Sequence, residues 1–524
     1  MKKLLLLTLV LCPLFPAWAQ QPVPPPPAPR KPKLVLAIVV DQFRLDYFYR
    51  FGAQYNSGLQ RLARQGAFFT NAHYEHFPTV TAIGHSTFLS GATPSLSGIV
   101  GNEWYDRASR KQVTSVSDPA TKLLGGAADT TGSSPHRLLV STLADELKMA
   151  RPGSKSIGIS IKDRSAILPI GRTGNGAYWF DNKTGNFVSS TFYFPELPAW
   201  VRSFNEARAA DRYLGRDWTS FEDPKAAAFE KMPEARDEKY WAEMQRTPFG
   251  NEILEELAER AIEAEGLGAD DVTDVLSVSF SSNDYVGHEF GPDDPRVRDI
   301  SIRTDRTIGR LFAYLDKKVG MANVLVAFTA DHGVAPLPEK MIERKMSGGR
   351  IPEESVLGKV REYLTETYGP GEWIVGKSGP SAYLNHPLIL SKGLSIPKIR
   401  EEVAALLRGQ PHMFRIYTHD QLAFGQTSDD QVDRRVRNGF YAARGSDVFI
   451  VPEPYFLFEK TGTSHGTPFN YDTHVPLVLM GPGIRPGKYH RRAAVNDIAP
   501  TLATLLEVET PTGAMGRVLD EALR

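Results

Sequence analysis

Carboxylates and imidazoles recur in this 524-residue chain where a metal ion could use them. Asp41 directly follows the apolar run at residues 34–40, LVLAIVV. Asp284 and His288 stand four apart in SSNDYVGHEFG, just beyond an apolar run at residues 272–280. Asp331 and His332 follow the run at residues 323–329, and His465 lies in TGTSHGTP, shortly before another run at residues 476–480. Any one Asp after a strand reads as a helix cap or turn residue, and a lone His as an ordinary polar residue. Caps, however, have no reason to come paired with His at several strand ends, so the joint pattern points to metal. Mixed carboxylate and imidazole donors suit zinc or a similar divalent ion, and this many suit two.

A metal pair needs a nucleophile or an activated water. Residues 76–81, HFPTVT, lead into the small-residue stretch TAIGHSTFLSG. A hydroxyl at a helix N-terminus meets free N–H groups and the positive end of the helix dipole, which stabilise an alkoxide or a bound phosphate. Alone, Thr79 or Thr81 reads as an N-cap; beside a metal, the Thr79 hydroxyl loses its proton more readily and becomes a usable nucleophile. His85 is placed to support the ligands, whereas His73, His76 and His474 read as structural. Lys162 and Arg164 stand in SIKDRS, just beyond a run at residues 156–161. In extended chain, residues two apart point to one side, so both could grip one phosphate; without that context they read as a solvated pair.

These groups must be held by the elements between them. Continuous β-branched runs are expected of strands buried on both faces of a parallel sheet, and helical periodicity separates them, as at residues 137–149 and 300–317. The expected fold class is α/β: a mainly parallel central sheet with helices on both faces and covering insertions. In such sheets ligands bind beyond the carboxyl ends of the strands, where these residues stand. A hairpin at residues 176–193 and a mixed segment at residues 339–458 interrupt the rhythm and read as insertions over the sheet.

Composition narrows the class further. With 41% hydrophobic and 23% charged residues, the chain is neither disordered nor a polytopic membrane protein. Its 61 basic residues balance 61 acidic ones, which argues against a nucleic-acid partner gripped through phosphates. Lys2 and Lys3, an apolar run and the small residues of Ala17-Trp18-Ala19 read as an export signal over residues 1–19. The proline-rich stretch QQPVPPPPAPRKP at residues 20–32 reads as a spacer. The single cysteine, Cys12, falls in the signal, leaving a mature chain without disulfide, thiolate ligand or thiol nucleophile. The expected product is exported, periplasmic or extracellular, without a transmembrane segment. One catalytic domain is expected over residues 33–524, with insertions at about 165–250 and 339–458.

The order of Asp41, FPT with Thr79, GNEWYD with Asn102, DYVGH, ADHG and SHGT resembles the alkaline phosphatase superfamily. The likeness is nearest to its nucleotide pyrophosphatase/phosphodiesterase-like branch, which includes the phosphate-irrepressible bacterial alkaline phosphatases. It spans about residues 34–506. The resemblance implies two zinc ions, one held by Asp41, Asp331, His332 and the nucleophile Thr79, the other by Asp284, His288 and His465. It also implies that Asn102 contacts a phosphoryl oxygen and that Lys162 and Arg164 grip the same group. Sulfatases of the superfamily need a cysteine that the mature chain lacks, and its serine-dependent members do not offer FPTVT. Two divalent ions would be balanced by three aspartates and an alkoxide, so a dianionic monoester needs further cations, which Lys162 and Arg164 provide. The expected activity is therefore hydrolysis of phosphate monoesters through a phosphothreonine. A phosphodiesterase or nucleotide pyrophosphatase is the alternative within the superfamily, and a non-catalytic exported metal- or phosphate-binding protein the alternative outside it.

Overall fold

In the computed structural model, which describes residues 31–524, the strand Leu34–Val40 is wholly buried. It pairs in parallel with Asp274–Phe280 on one side and Val324–Thr329 on the other. Ser156–Ser160 and Gly176–Phe180 extend this parallel group. Branched and aromatic side chains fill both faces, as a strand covered by helices on each side requires. The full sheet has 11 strands, and its flanks turn antiparallel. Leu477–Met480 runs against Val324–Thr329, and Phe187–Ser190 runs against Gly176–Phe180. The expected α/β class is observed, with the parallel character concentrated in the middle of the sheet.

Two groups of helices flank it. Pro295–Lys318 packs with Pro248–Glu265 and Gly58–Gln65, and Thr81–Ser90 packs with Leu143–Ala150 and Ile498–Leu506. The hairpin at 176–193 does not cover the sheet: its first strand adds in parallel to Ser156–Ser160, so the hairpin continues the sheet. Its alternation of aromatic and small residues is that of a strand pair within a core, a pattern that hydropathy alone does not separate from a surface hairpin. Residues 339–458 contain a separate four-stranded antiparallel sheet, ordered Ile374–Ser378, Ser381–Leu384, Val448–Pro452, Met413–Thr418. Trp373, Val403, Leu407 and Ile450 belong to its own buried cluster.

The export signal at 1–19 and all but the last two residues of the spacer lie outside the described residues. Among the described residues no helix is long and apolar enough to cross a membrane.

Candidate active site

Parallel strands end on one edge of the sheet, and this edge gathers the predicted donors. Asp41 follows Val40, Asp331 follows Thr329 by two residues, and Lys162 follows Ser160 by two. Asp284 and His288 lie one helical turn apart on Ser282–Phe290, so both face the same way. Thr81–Ser90 lies hard against Asp331: a Cβ at Gly84 would collide with the Asp331 carbonyl, so glycine is required there.

Donor atoms of Asp41, Asp331 and His332 lie within 4.8 Å of one another, as do those of Asp284, His332 and His465. His288 completes the second group, with Nε2 3.2 Å from Asp284 Oδ1. His332 thus stands between the two groups, with its ring stacked 3.5 Å from that of His465. All three imidazoles are oriented by backbone. His288 Nδ1 donates to the Thr463 carbonyl at 2.7 Å, His332 Nδ1 to Gly333 at 2.9 Å, and His465 Nδ1 to Thr79 at 2.8 Å. A carbonyl only accepts, so the proton sits on Nδ1 and leaves each Nε2 to face the carboxylates.

The charge at this edge is unbalanced. Lys162 Nζ lies 2.7 Å from Asp41 and 2.6 Å from Asp284, one ammonium among three buried carboxylates. Burial pushes the Asp41 and Asp331 carboxyls above their usual range, and proximity to other carboxylates adds to it. Burial also acts on Asp284, but Lys162 and His288 outweigh it and hold that carboxyl well below the usual range. His288 is correspondingly pushed up to about 9: burial opposes its charge, and Asp284 prevails. Burial lowers His332 to about 3. Asp41 Oδ1 and Asp331 Oδ2 are buried without a hydrogen-bond partner. His332 and His465, kept neutral by burial, turn Nε2 lone pairs toward the carboxylates, and facing lone pairs repel unless a cation lies between them. The donor set therefore fits divalent metal.

Thr79 is buried beside His465. Its Oγ1 donates to the Thr467 carbonyl at 2.8 Å, while its own carbonyl receives His465 Nδ1–H. Asn102 Oδ1 accepts from the Ala82 N–H at 2.8 Å, at the start of Thr81–Ser90, which leaves its amide N–H groups free as donors. The chain is extended at Lys162 but turns helical at Asp163, so the two-residue alternation expected to set Lys162 and Arg164 on one side does not hold. Lys162 stands at the N-cap position of the short helix Asp163–Ile167, which carries Arg164 in its first turn. The Tyr285 ring lies 5.2 Å from Lys162 Nζ.

Residues 35–468 match the model of the type I phosphodiesterase/nucleotide pyrophosphatase family. The chain belongs to this family. Within that context, it is 35% identical to alkaline phosphatase PafA of Elizabethkingia meningoseptica over 100% of this chain and 99% of that one. It is 36% identical to alkaline phosphatase PhoV of Synechococcus elongatus, covering 96% and 95% of the two chains. The crystal structure of PafA matches with a TM-score of 0.88 at 33% identity, over 95% of this chain and 100% of that one. A PafA variant with a threonine changed to serine, and an asparagine, a lysine and an arginine changed to alanine, matches with the same TM-score.

Two supporting residues of this type I phosphodiesterase/nucleotide pyrophosphatase-family site escaped the sequence reading. Gln42 donates from its backbone to Asp331 Oδ1 at 3.1 Å and from Nε2 to Asp284 Oδ1 at 2.7 Å. It does so with φ at 60°, a left-handed conformation that costs a non-glycine residue energy. Asp472 is fully buried and accepts from the Thr467 N–H at 2.8 Å and the Thr467 hydroxyl at 2.6 Å. It thereby fixes the loop whose carbonyl receives the Thr79 hydroxyl. Position next to Asp41 was the only sequence signal for Gln42, and Asp472 offered none beyond following SHGTP. His85, expected near the ligands, lies 3.4 Å from Asp331 and bonds Ser279.

Proposed function

We propose that this protein is an alkaline phosphatase that hydrolyses phosphate monoesters at two zinc ions, and that it works outside the cytoplasm after export. The observation that carries this reading is the buried Thr79 hydroxyl, tied to the Thr467 carbonyl beside oriented His and Asp donors. Full-length similarity to PafA and PhoV supports the same activity. Asp41, Asp331, His332 and Thr79 would hold one ion, and Asp284, His288 and His465 the other. Bound there, zinc supplies Lewis acidity that lowers hydroxyl pKa values and neutralises charge on phosphoryl and leaving-group oxygens.

Thr79 Oγ attacks phosphorus after losing its proton, forming a new P–O bond as the ester P–O bond breaks and the alcohol departs. Water then cleaves the phosphothreonine, restoring the threonine and releasing inorganic phosphate. The tie to Thr467 aims the hydroxyl before attack, so little orientational freedom is lost at the transition state. Asn102 is locked through its oxygen to Ala82 and offers its N–H groups to a phosphoryl oxygen. With Asp41 and Asp284 serving as ligands, Lys162 would be free to meet the second negative charge of a monoester together with Arg164. A diester carries one such charge, which is why these two residues separate the classes of substrate.

The test is kcat/KM for phenyl phosphate and diphenyl phosphate in wild type and in the Lys162→Ala/Arg164→Ala double variant. Wild type should favour the monoester. Each lost side chain should cost the monoester roughly 30-fold to several-thousand-fold, and the diester far less. Wild-type preference for the diester, or equal losses on both with zinc content intact, would favour the phosphodiesterase reading.

A further inference from the structure

We infer that the monoesters this enzyme handles best carry an uncharged aromatic leaving group, seated in a cleft between the catalytic sheet and the segment 339–458. The inference rests on the phosphatase reading and adds a substrate class to it. A cavity of about 600 Å³ opens directly from Asn102, His288 and His465, so the group attached to a phosphoryl held at Thr79 has this space beside it. The volume lies in the range of ordinary small-molecule pockets.

Its walls are rings and branched chains. Phe77 and Val80 bracket Thr79 in sequence and line the cavity from one side, while Tyr383, Phe449, Phe456 and Phe458 line it from the other. Rings in such a wall favour offset or edge-on contact with another ring. Three serines among them already have partners. The Ser378 hydroxyl donates to the Glu103 carbonyl at 3.0 Å, the Ser446 hydroxyl to Val448 at 3.4 Å, and the Ser381 oxygen accepts from Ile450 at 3.2 Å.

Charge excludes one class. The charged side chains lining the cavity beyond the metal donors are Glu103, Glu353, Glu459 and Lys377. The Lys377 ammonium is held by both Glu353 oxygens at 2.8 Å. Three carboxylates against one committed ammonium repel a polyanionic leaving group, such as the diphosphate end of a nucleoside triphosphate.

Phosphonates separate binding from the intrinsic reactivity of different esters, since their P–C bond replaces the scissile oxygen. Competitive inhibition constants would be measured for phenylphosphonate and methylphosphonate against phenyl phosphate turnover, in wild type, Phe458→Ala and Phe449→Ala. Wild type should bind phenylphosphonate at least about tenfold tighter, on the scale of what hydrophobic pockets discriminate. Each alanine variant should move the ratio toward one. Phe458 is half-buried, so its variant tests the wall even if loss of the buried Phe449 impairs folding. Equal inhibition by both phosphonates in wild type, or a ratio that survives in folded Phe458→Ala, overturns the leaving-group cleft while leaving the phosphatase reading intact. Absence of phosphate release from phenyl phosphate by zinc-loaded wild type would instead overturn the phosphatase reading itself.

Discussion

Gln42 shows how one side chain can set the spacing of a whole site. It bonds Asp331 and Asp284 at once, and so ties together carboxylates proposed to hold different metal ions. Residues that orient ligands commonly govern metal affinity by 10- to 100-fold when replaced. Gln42→Ala is therefore expected to weaken zinc binding by about that factor, measured by competition against a chelator of known affinity. Unchanged affinity would mean that the aspartates are positioned by their strands alone. At this scale the sequence was legible where chemistry demands a residue type. Asp41, Asp284, His288, Asp331, His332 and His465 stood out because carboxylate–imidazole pairs at strand ends have few other uses, and the fold gathers them at one edge of the sheet. Gln42 and Asp472 were not, because an amide or a lone Asp is compatible with almost any role. Their function lies in partners 242 to 289 residues away for Gln42, which no local pattern encodes.

At the scale of elements, the segment 339–458 is joined to the catalytic body by a buried ionic hub. Asp447 receives Arg107 at 2.6 Å, Arg400 at 2.7 Å and His386 at 2.8 Å, and also accepts the Leu384 N–H. Arg107 directly follows the strand Glu103–Asp106, next to Asn102, so the hub links the insertion to the segment that carries Asn102. Burial alone would raise the Asp447 carboxyl, but His386 and Arg107 outweigh it and hold the group far below the usual carboxylate range. The folded value lies below the unfolded one of about 3.9, so ionised Asp447 favours the folded state. That contribution is complete above about pH 5 and is lost as pH falls through 4 toward the folded value. Breaking such a buried network commonly costs about 3–5 kcal/mol. Asp447→Asn should lower stability by about 3 kcal/mol at pH 7 in urea unfolding, and the deficit should shrink below pH 4. A deficit independent of pH would show that packing, not charge, holds the hub.

For the whole molecule, the parallel strands were legible because a strand buried on both faces has no polar alternation to imitate. What escaped was their continuation at the flanks, where short strands such as Ala67–Phe69 and Gly487–Tyr489 carry too few residues to show a period. The turn of chain at Lys162 was misjudged for a related reason: Asp163 begins a helix of five residues, shorter than any periodicity can reveal. None of this disturbs the convergence of the sheet edge on Thr79, which is the central claim. The most direct test is to quench zinc-loaded enzyme with acid during turnover of a labelled phosphate monoester, and to locate covalent phosphate by peptide mass spectrometry. Phosphate attached to Thr79 is the predicted result; attachment to any other residue would contradict it.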